Sequence, residues 1–393
     1  MRLFFALVFL SHVQNANAAW KELPWPVLNA TLPVWKPEPF DEAKKYPAII
    51  YYHGAGGQPD AETMRRMTDG KDFVIVGMTY KEQGAFNHGV QEIADELGFL
   101  NALKVRLVES LSVDPRRIYV AGFSKGGWHT SLLLDHDRTL AGGMILGGGV
   151  FETRKDSANF GKALPIYIGC GRYDGNYPPA LGAMVYFRNL GGEITFDTWP
   201  DLEHQLPNSP PESLRQWLRI QADAPDSEKE ATEWITKRLV EIEAISDPVD
   251  QWFAYDEFSS LPFVKKLGAE AAAAAESKIA ALLENPNVAA ERKWRTESRK
   301  ILALESRDRL LATLQQASQS HHELSQKAVG TRAAAEAAHD FKRTQELLKT
   351  AKIVTRGELP PEPIKPETTP TSPTENPDRG PFFPPGTKMK PSK

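Results

Sequence analysis

Cysteine is almost absent from this sequence of 393 residues. Cys170 is the single one, so the chain cannot form an intramolecular disulfide and offers no set of cysteines for a zinc site. Charge of one sign is also lacking: the formal net charge is −4 at pH 7, which predicts no general attraction to nucleic acid. Stability must therefore come from burial, and 41% hydrophobic residues suffice for a large core and an accessory domain.

Hydrophobic runs long enough to cross a bilayer are missing as well, which predicts no membrane span. A short apolar run at residues 3–10 follows Arg2 and precedes the small-x-small sequence of residues 16–18, Ala-Asn-Ala. This is the pattern of a secretory signal. We expect residues 1–18 to be removed after Ala18 and the mature chain to be secreted or periplasmic. A buried N-terminal strand is the alternative, and a lipid anchor is excluded because no cysteine is nearby.

Strand-like and helix-like segments alternate from residue 46 to residue 221, after a Pro- and Trp-rich stretch that we expect along a sheet edge. The predicted strands cover residues 31–35, 48–52, 73–79, 118–122, 142–146, 164–168 and 193–199, and the predicted helices 61–69, 93–111, 128–134, 179–190 and a last one capped by Ser209 with Glu212. This order predicts an α/β domain with a mostly parallel sheet covered on both faces. Ligands should bind at the carboxyl ends of its strands.

The spacing Gly122-x-Ser124-x-Gly126 joins the strand at 118–122 to the next helix. It is typical of a nucleophile elbow, in which a serine on a strained turn presents its hydroxyl above the sheet. Glycine is required on both sides because the strand and the helix converge there. The spacing therefore predicts Ser124 as a catalytic nucleophile.

A glycine-rich loop, His53-Gly54-Ala55-Gly56-Gly57, follows the strand at 48–52. Backbone N–H groups of Gly54, Ala55 and Gly56, together with that of Lys125, are predicted to form an oxyanion hole. A plain glycine turn is the alternative. We expect His53 to brace this loop beside the substrate.

A serine nucleophile needs a base, and the base needs a group that orients it. Asp174 follows the strand at 164–168 and His204 follows the strand at 193–199. The order serine, aspartate, histidine along the chain is that of α/β-hydrolases. The sequence thus predicts Asp174 as the acid and His204 as the base.

Several residues compete for these roles. Asp201 or Glu203 are alternative acids, although both adjoin His204 in the chain, and His88 is the alternative base. Besides His53, the residues expected to contact substrate are His88, Phe123 and Tyr173. The remaining histidines are expected to serve packing or to lie far from the site: His12, His129, His136, His321, His322 and His339.

Residues 46–221 resemble the α/β-hydrolase family. The segment from Val90 through Val113-Asp114-Pro115 into the elbow is similar to its secreted branch of poly(3-hydroxybutyrate) depolymerase-like and feruloyl or acetylxylan esterase-like enzymes. The resemblance implies ester hydrolysis through an acyl-enzyme on Ser124, with no metal or organic cofactor, on a small-molecule or polymer-attached ester. Lys125 departs from relatives, where a small residue is frequent. A serine peptidase and a non-catalytic binding protein with the same fold remain alternatives.

The sequence predicts four regions: the signal at 1–18, the hydrolase domain at 19–224, a helical accessory domain at 225–356 and a Pro-rich disordered tail at 357–393. The helical domain is expected to hold about four helices, the first capped by Ser227 with Glu230. We expect it to act as a spacer, in self-association or in contact with the envelope. Its aromatic side chains Phe253, Tyr255 and Phe258 are predicted to dock on the hydrolase.

Overall fold

The computed structural model describes residues 20–81, 90–151, 163–307 and 310–355. The predicted signal, the predicted Pro-rich tail and His88 lie outside these residues.

Eight strands form one sheet in the order β1-β2-β4-β3-β5-β6-β7-β8. They are β1 (Trp20–Trp25), β2 (Ala30–Trp35), β3 (Tyr46–Tyr52), β4 (Val74–Met78), β5 (Val113–Phe123), β6 (Gly142–Leu146), β7 (Pro165–Gly171) and β8 (Glu193–Trp199). Strands β3 to β8 pair in parallel. Strands β4 and β6 are apolar and buried at every residue, because both faces of the sheet are covered there.

The Pro- and Trp-rich stretch forms a hairpin on one edge of the sheet, where β1 and β2 pair antiparallel and β2 pairs antiparallel with β4. The prediction of a strand at 31–35 is confirmed, and β1 is a strand that the sequence pattern did not indicate. Its one proline, Pro24, is tolerated because an edge strand leaves one row of N–H groups without a ladder.

Helices cover both faces of the sheet. They are α1 (Glu62–Met67), α2 (Val90–Ser110), α3 (Lys125–His136), α4 (Tyr177–Asn189) and α5 (Glu212–Gln221). Alternating residues of β3 enter opposite cores: Ile50 and Tyr52 pack with α2, α3 and α4, whereas Ile49 and Tyr51 pack with α1 and α5. The predicted α/β architecture, a mostly parallel sheet covered by helices on both faces, is therefore confirmed.

Two predicted helix caps are wrong. The fifth helix begins at Glu212, and Ser209 is not its cap. A cap at Ser209 would require a helical Pro210, but Pro210 precedes Pro211, and a residue before proline is disfavoured in helical conformation. Pro211 itself is extended, with φ −55° and ψ 147°. The next helix has Ser227 as its first helical residue, after Asp226 in a left-handed conformation. Ser227 donates its N–H to the carbonyl of Ala224 at 3.0 Å.

The C-terminal part is all-α, as predicted, but it is divided more finely than the four helices expected. Its helices are α6 (Ser227–Glu243), α7 (Pro248–Ser260), α8 (Pro262–Leu267), α9 (Ala269–Leu282), α10 (Pro286–Arg307), α11 (Leu311–Lys327) and α12 (Arg332–Thr355). We call α6 to α12 the helical region. Across the ranges that the structure describes, no helix is long and apolar enough to cross a membrane.

The helical region contacts the first domain at several places. Tyr255 and Phe258 pack in a core built by α6 to α9, and Ile220 of α5 packs against this core. Phe253 lies under the guanidinium of Arg295, which is 4.1 Å from the ring centroid of Phe253. Elsewhere α10 packs on α4, a contact that the sequence did not predict, and Leu302 of α10 belongs to the main core.

Candidate active site

Ser124 occupies a sharp turn between β5 and α3. Its backbone has φ 57° and ψ −118°, a conformation that costs a non-glycine residue free energy and persists only where the surroundings impose it. Those surroundings include β6, because the N–H of Ser124 donates to the carbonyl of Leu146 at 2.9 Å. The side chain of Ser124 is half-buried at the carboxyl end of the sheet.

Close backbone contacts explain the two glycines of the elbow. A Cβ on Gly122 would lie 2.3 Å from the carbonyl carbon of Gly126, and a Cβ on Gly126 would lie 2.0 Å from the carbonyl oxygen of Tyr52. Neither contact leaves room for a side chain. The start of α3 is thereby pressed against the end of β3, where the glycine-rich loop begins.

Three side chains from three strand ends form one hydrogen-bonded line. Oγ of Ser124 lies 2.8 Å from Nε2 of His204, and Nδ1 of His204 lies 2.8 Å from Oδ2 of Asp174. A carboxylate only accepts, so Nδ1 carries the proton and Nε2 accepts from the serine hydroxyl. The imidazole is therefore in the tautomer that a general base requires.

The carboxylate of Asp174 is held at both oxygens. Oδ2 faces His204, and Oδ1 accepts the N–H of Asn176 at 2.8 Å. The side chain of Asn176 donates in turn to the carbonyl of Gly147 at 2.7 Å. Asp174 is only 2% exposed, whereas the side chain of His204 is 32% exposed, so the imidazole is open to solvent and the carboxylate is not.

The loops that carry the acid and the base are packed on each other. Arg172 donates its N–H to the carbonyl of Trp199 at 2.8 Å, and Tyr173 donates to that of Leu202 at 3.0 Å. A Cβ on Gly171 would lie 2.3 Å from the carbonyl oxygen of Leu202. The backbone leading to Asp174 therefore runs directly against the backbone leading to His204.

The glycine-rich loop is braced by the side chain that opens it. Nδ1 of His53 lies 2.7 Å from the carbonyl oxygen of Gly54, and Nε2 lies 3.2 Å from Oγ1 of Thr79. Tyr80 donates its hydroxyl to the carbonyl of His53. Beyond Gly54 the loop turns at Gly56, which has φ +74°, and Ala55 and Gly56 are exposed.

Lys125 places a cation beside the nucleophile. Its Nζ lies 4.2 Å from the ring centroid of Tyr80, within the range of a cation–π contact. Burial lowers the pKa of Lys125, and the nearby carboxylate of Glu96 offsets part of this effect. Glu96 also lies 3.5 Å from Nε2 of the fully buried His129. The side chains behind the elbow are therefore polar, with a positive charge on Lys125 and a negative charge on Glu96.

The alternatives to the acid and the other histidines can be placed only in part, because His88 lies outside the described residues. Asp201 and Glu203 are exposed on the turn before His204, and His129 is buried in the core behind the elbow. Among the predicted substrate contacts, Phe123 is 5% exposed and lies against the ring of His204. Tyr173 is half-buried, with its ring centroid 4.5 Å from that of His339. His339, expected to lie far away, therefore contacts the loop of the acid.

Three contributors to the geometry are absent from the predictions made from the sequence. Gly147, at φ +54°, follows β6 and passes between Phe123 and Asp174, where a Cβ would lie 2.8 Å from the phenyl ring. Asn176 shares a tight turn with Asp174, and the sequence Asp-Gly-Asn was a signal for it. Arg172 makes long-range contacts that no local pattern could reveal.

Comparisons with known proteins found partial similarities. No family model matches the chain. A probable carboxylesterase of Arabidopsis thaliana, described as SOBER1-like, is 27% identical over 114 residues, which are 27% of this chain. The chain spans 43% of the length of that relative, so the similarity does not by itself assign an activity.

Two solved structures illustrate the similarity in fold. The Bacillus cereus carboxylesterase is 17% identical, with a TM-score of 0.39 over 53% of this chain and 95% of its own. The acylaminoacyl peptidase of Pyrococcus horikoshii is 16% identical, with a TM-score of 0.39 over 54% of this chain and 42% of its own.

Proposed function

We propose that this protein is a serine hydrolase that cleaves carboxylic esters through an acyl-enzyme intermediate. The observation that carries the proposal is the line of hydrogen bonds from Ser124 through His204 to Asp174, with both distances at 2.8 Å. The nucleophile, the base and the group that orients the base are each in reach of the next.

In the first step, Oγ of Ser124 attacks the ester carbonyl carbon while Nε2 of His204 takes the hydroxyl proton. The new C–O bond places a negative charge on the former carbonyl oxygen. His204 then gives its proton to the leaving alcohol as the C–O bond to that alcohol breaks. Asp174 stabilises the imidazolium and holds its orientation throughout.

The oxyanion is proposed to lie between the N–H of Lys125 and N–H groups of the loop at Gly54, Ala55 and Gly56. The close approach of Gly126 to the carbonyl of Tyr52 supports this assignment, because it brings the start of α3 to the start of that loop. Fixed donors of this kind stabilise the transition state without reorganisation. In the second step water, activated by His204, attacks the acyl carbon and releases the acid.

The ester class follows the similarity to a probable carboxylesterase and the resemblance of the elbow segment to secreted esterases. The candidate substrates are carbohydrate-linked, phenolic and polyester compounds. The exposed His204 side chain is compatible with bulky esters, since it needs no deep tunnel for access.

The experiment compares hydrolysis of p-nitrophenyl acetate, a feruloyl ester and an aminopeptidase substrate, together with labelling by a fluorophosphonate. Ser124→Ala should abolish turnover and labelling. The matched control is Ser131→Ala, which removes a buried hydroxyl from the same helix α3 and should leave both intact. Equal turnover by Ser124→Ala would overturn the assignment. Peptide-only turnover would favour a peptidase, and a fully inert wild type would favour a binding protein.

We also propose that the protein is exported and that its mature form begins at Ala19. The support is the pattern of residues 1–18 in the sequence. N-terminal sequencing of the protein from the extracellular or periplasmic fraction should start at Ala19. Recovery of the full-length chain from the cell interior alone would contradict export.

A further inference from the structure

A buried ion-pair network joins the loop of the acid to the helical region. Arg172 donates from Nε to Glu336 at 2.9 Å and from Nη2 to Asp340 at 2.9 Å, with Nη1 3.4 Å from the second oxygen of Asp340. The side chains of Arg172 and Asp340 are 4% and 1% exposed. This bidentate ion pair with Asp340 fixes the orientation of the guanidinium in addition to balancing its charge.

The network continues inside the helical region. Arg343 lies 3.2 Å from Asp340 and 2.7 Å from Glu305, and His321 lies 2.7 Å from the same Glu305. The carboxylates come from α10 and α12 and the imidazole from α11. Side chains of α10, α11 and α12 therefore fix the position of Asp340 independently of its contact with Arg172.

A second contact lies one residue closer to the acid. The ring of Tyr173 packs on the ring of His339, with centroids 4.5 Å apart and planes inclined by 53°. Helix α12 thus touches two consecutive residues of the segment that ends at Asp174. Both residues also donate backbone hydrogen bonds to the segment 199–202, which leads to His204.

We infer that the helical region positions the proposed catalytic line, and that Arg172, held by Asp340 and Glu336, is the positioning residue through which it acts. The inference rests on the proposed function, and it replaces the expectation of a passive spacer. Arg172 is anchored on one side by α12 and on the other by the carbonyl of Trp199. A shift of its side chain therefore displaces both Asp174 and His204 relative to Ser124.

The test is Asp340→Asn, which removes the charge that holds Arg172 while keeping the size of the side chain. A displacement of about 1 Å can cost up to about 100-fold in rate, so we expect kcat to fall between about 10-fold and about 100-fold with KM nearly unchanged. Glu336→Gln keeps the Arg172–Asp340 pair, so we expect a smaller loss of kcat. This second variant keeps the inference testable if Asp340→Asn fails to fold.

Ser318→Ala is the matched control. Ser318 is a buried residue of the same helical region, on α11, and its hydroxyl accepts a hydrogen bond from the side chain of Gln345 on α12 at 2.7 Å. Loss of this hydroxyl should lower stability and leave kcat within about twofold, because the ion pairs of Arg172 with Asp340 and Glu336 keep all of their members.

A spectroscopic readout separates this inference from the proposed function. The Nδ1 proton of His204 should give a low-field NMR resonance while it is shared with Asp174, and that resonance should weaken in Asp340→Asn but persist in Ser318→Ala. If the wild type neither hydrolyses esters nor reacts with a fluorophosphonate, the proposed function fails and this signal still tests the positioning. A folded Asp340→Asn protein with unchanged kcat and an unchanged resonance would overturn the inference.

Discussion

The ring of Phe123 stacks on the imidazole of His204, with centroids 5.0 Å apart and planes inclined by 26°. Phe123 immediately precedes Ser124, so the residue before the nucleophile forms one wall for the base. The hydrogen bonds to Ser124 and Asp174 lie in the plane of the imidazole, and the phenyl ring restricts its motion out of that plane. Phe123 is therefore assigned a role in holding the base.

Phe123→Leu should lower kcat about 10-fold, because a less well held base spends less time aligned with the serine. Steady-state kinetics on p-nitrophenyl acetate measure the effect. Phe99→Leu is the control: Phe99 is a similarly buried residue that meets Trp25 edge-on, 5.3 Å away, in the main core. It should lower the unfolding midpoint but leave kcat intact. Equal losses of kcat in the two variants would contradict the assigned role.

Asp174→Asn should reduce kcat by a factor of about 10³ to 10⁴, because the amide no longer holds the imidazole in the tautomer that accepts from Ser124. Asp201→Asn tests the alternative acid and should change kcat by less than about twofold, since an exposed carboxylate contributes little. Rates of acetyl ester hydrolysis decide between them. A larger loss in Asp201→Asn would move the acid to that position.

Gly126→Ala should disrupt the elbow, because its Cβ would lie 2.0 Å from the carbonyl oxygen of Tyr52. Overpacking of this kind costs about 1–3 kcal/mol, and the shift should also remove activity. The matched change is Gly98→Ala in α2, where an added Cβ meets no atom within 4 Å. It should raise the free energy of unfolding by about 0.5–1 kcal/mol. Urea denaturation compares the two, and a stable, active Gly126→Ala protein would refute the close contact.

Cys170 should be inert in the native protein. Burial raises the pKa of its thiol well above the ordinary 9.0, and the negative charge of Asp174 raises it further. The thiolate, which is the reactive form, is therefore scarce as well as inaccessible. A colorimetric thiol reagent should titrate one group per chain in concentrated guanidinium and none before unfolding. Rapid native labelling would show that β7 opens or that Asp174 has left its place.

Acid should loosen the helical region. Burial raises the pKa of Asp340, but the neighbouring Arg172 and Arg343 outweigh it and leave the pKa below the ordinary 3.8. For Glu305, burial is likewise outweighed by Arg343 and His321, and its pKa lies below the ordinary 4.5. Groups with depressed folded-state pKa values stabilise above their unfolded pKa and lose this effect as pH falls through the folded value. Stability should therefore decline below about pH 4.

The pH dependence is measured from thermal unfolding midpoints between neutral and acid pH. Asp340→Asn should flatten the decline because it removes one of the two titrating carboxylates. Glu323→Gln, which neutralises an exposed carboxylate on α11, should leave the slope close to that of the wild type, since solvent screens that charge. Identical slopes in all three proteins would refute a stabilising role for the network.

The sheet was predictable because its signals are local. The apolar run at 142–146 and the alternating run at 193–199 match β6 and β8 residue for residue, since strand patterns are local and short connections keep the strands in order. The placement of Asp174 and His204 at one edge followed from the rule that loops after parallel strands meet there. The hairpin strand β1 escaped prediction because proline is usually evidence against a strand.

Other features depend on contacts between distant residues. The caps at Ser209 and Ser227 were misjudged because the backbone of Pro211 and Asp226 decides where those helices begin. Arg172 and Asp340 are 168 residues apart in the chain, and no sequence motif near either residue indicates that the two form an ion pair. The packing of α10 and α12 on the first domain could therefore not be predicted from the hydrophobic periodicity of the sequence.

The contact between α10 and α4 has a practical consequence for anyone who shortens the chain. A recombinant fragment ending near residue 224 would leave α4 without the cover that α10 provides, including the close approach of Ser306 to Gly182. It would also leave the guanidinium of Arg172 without its carboxylates. Such a fragment should aggregate during expression, so the hydrolase is best produced together with its helical partner.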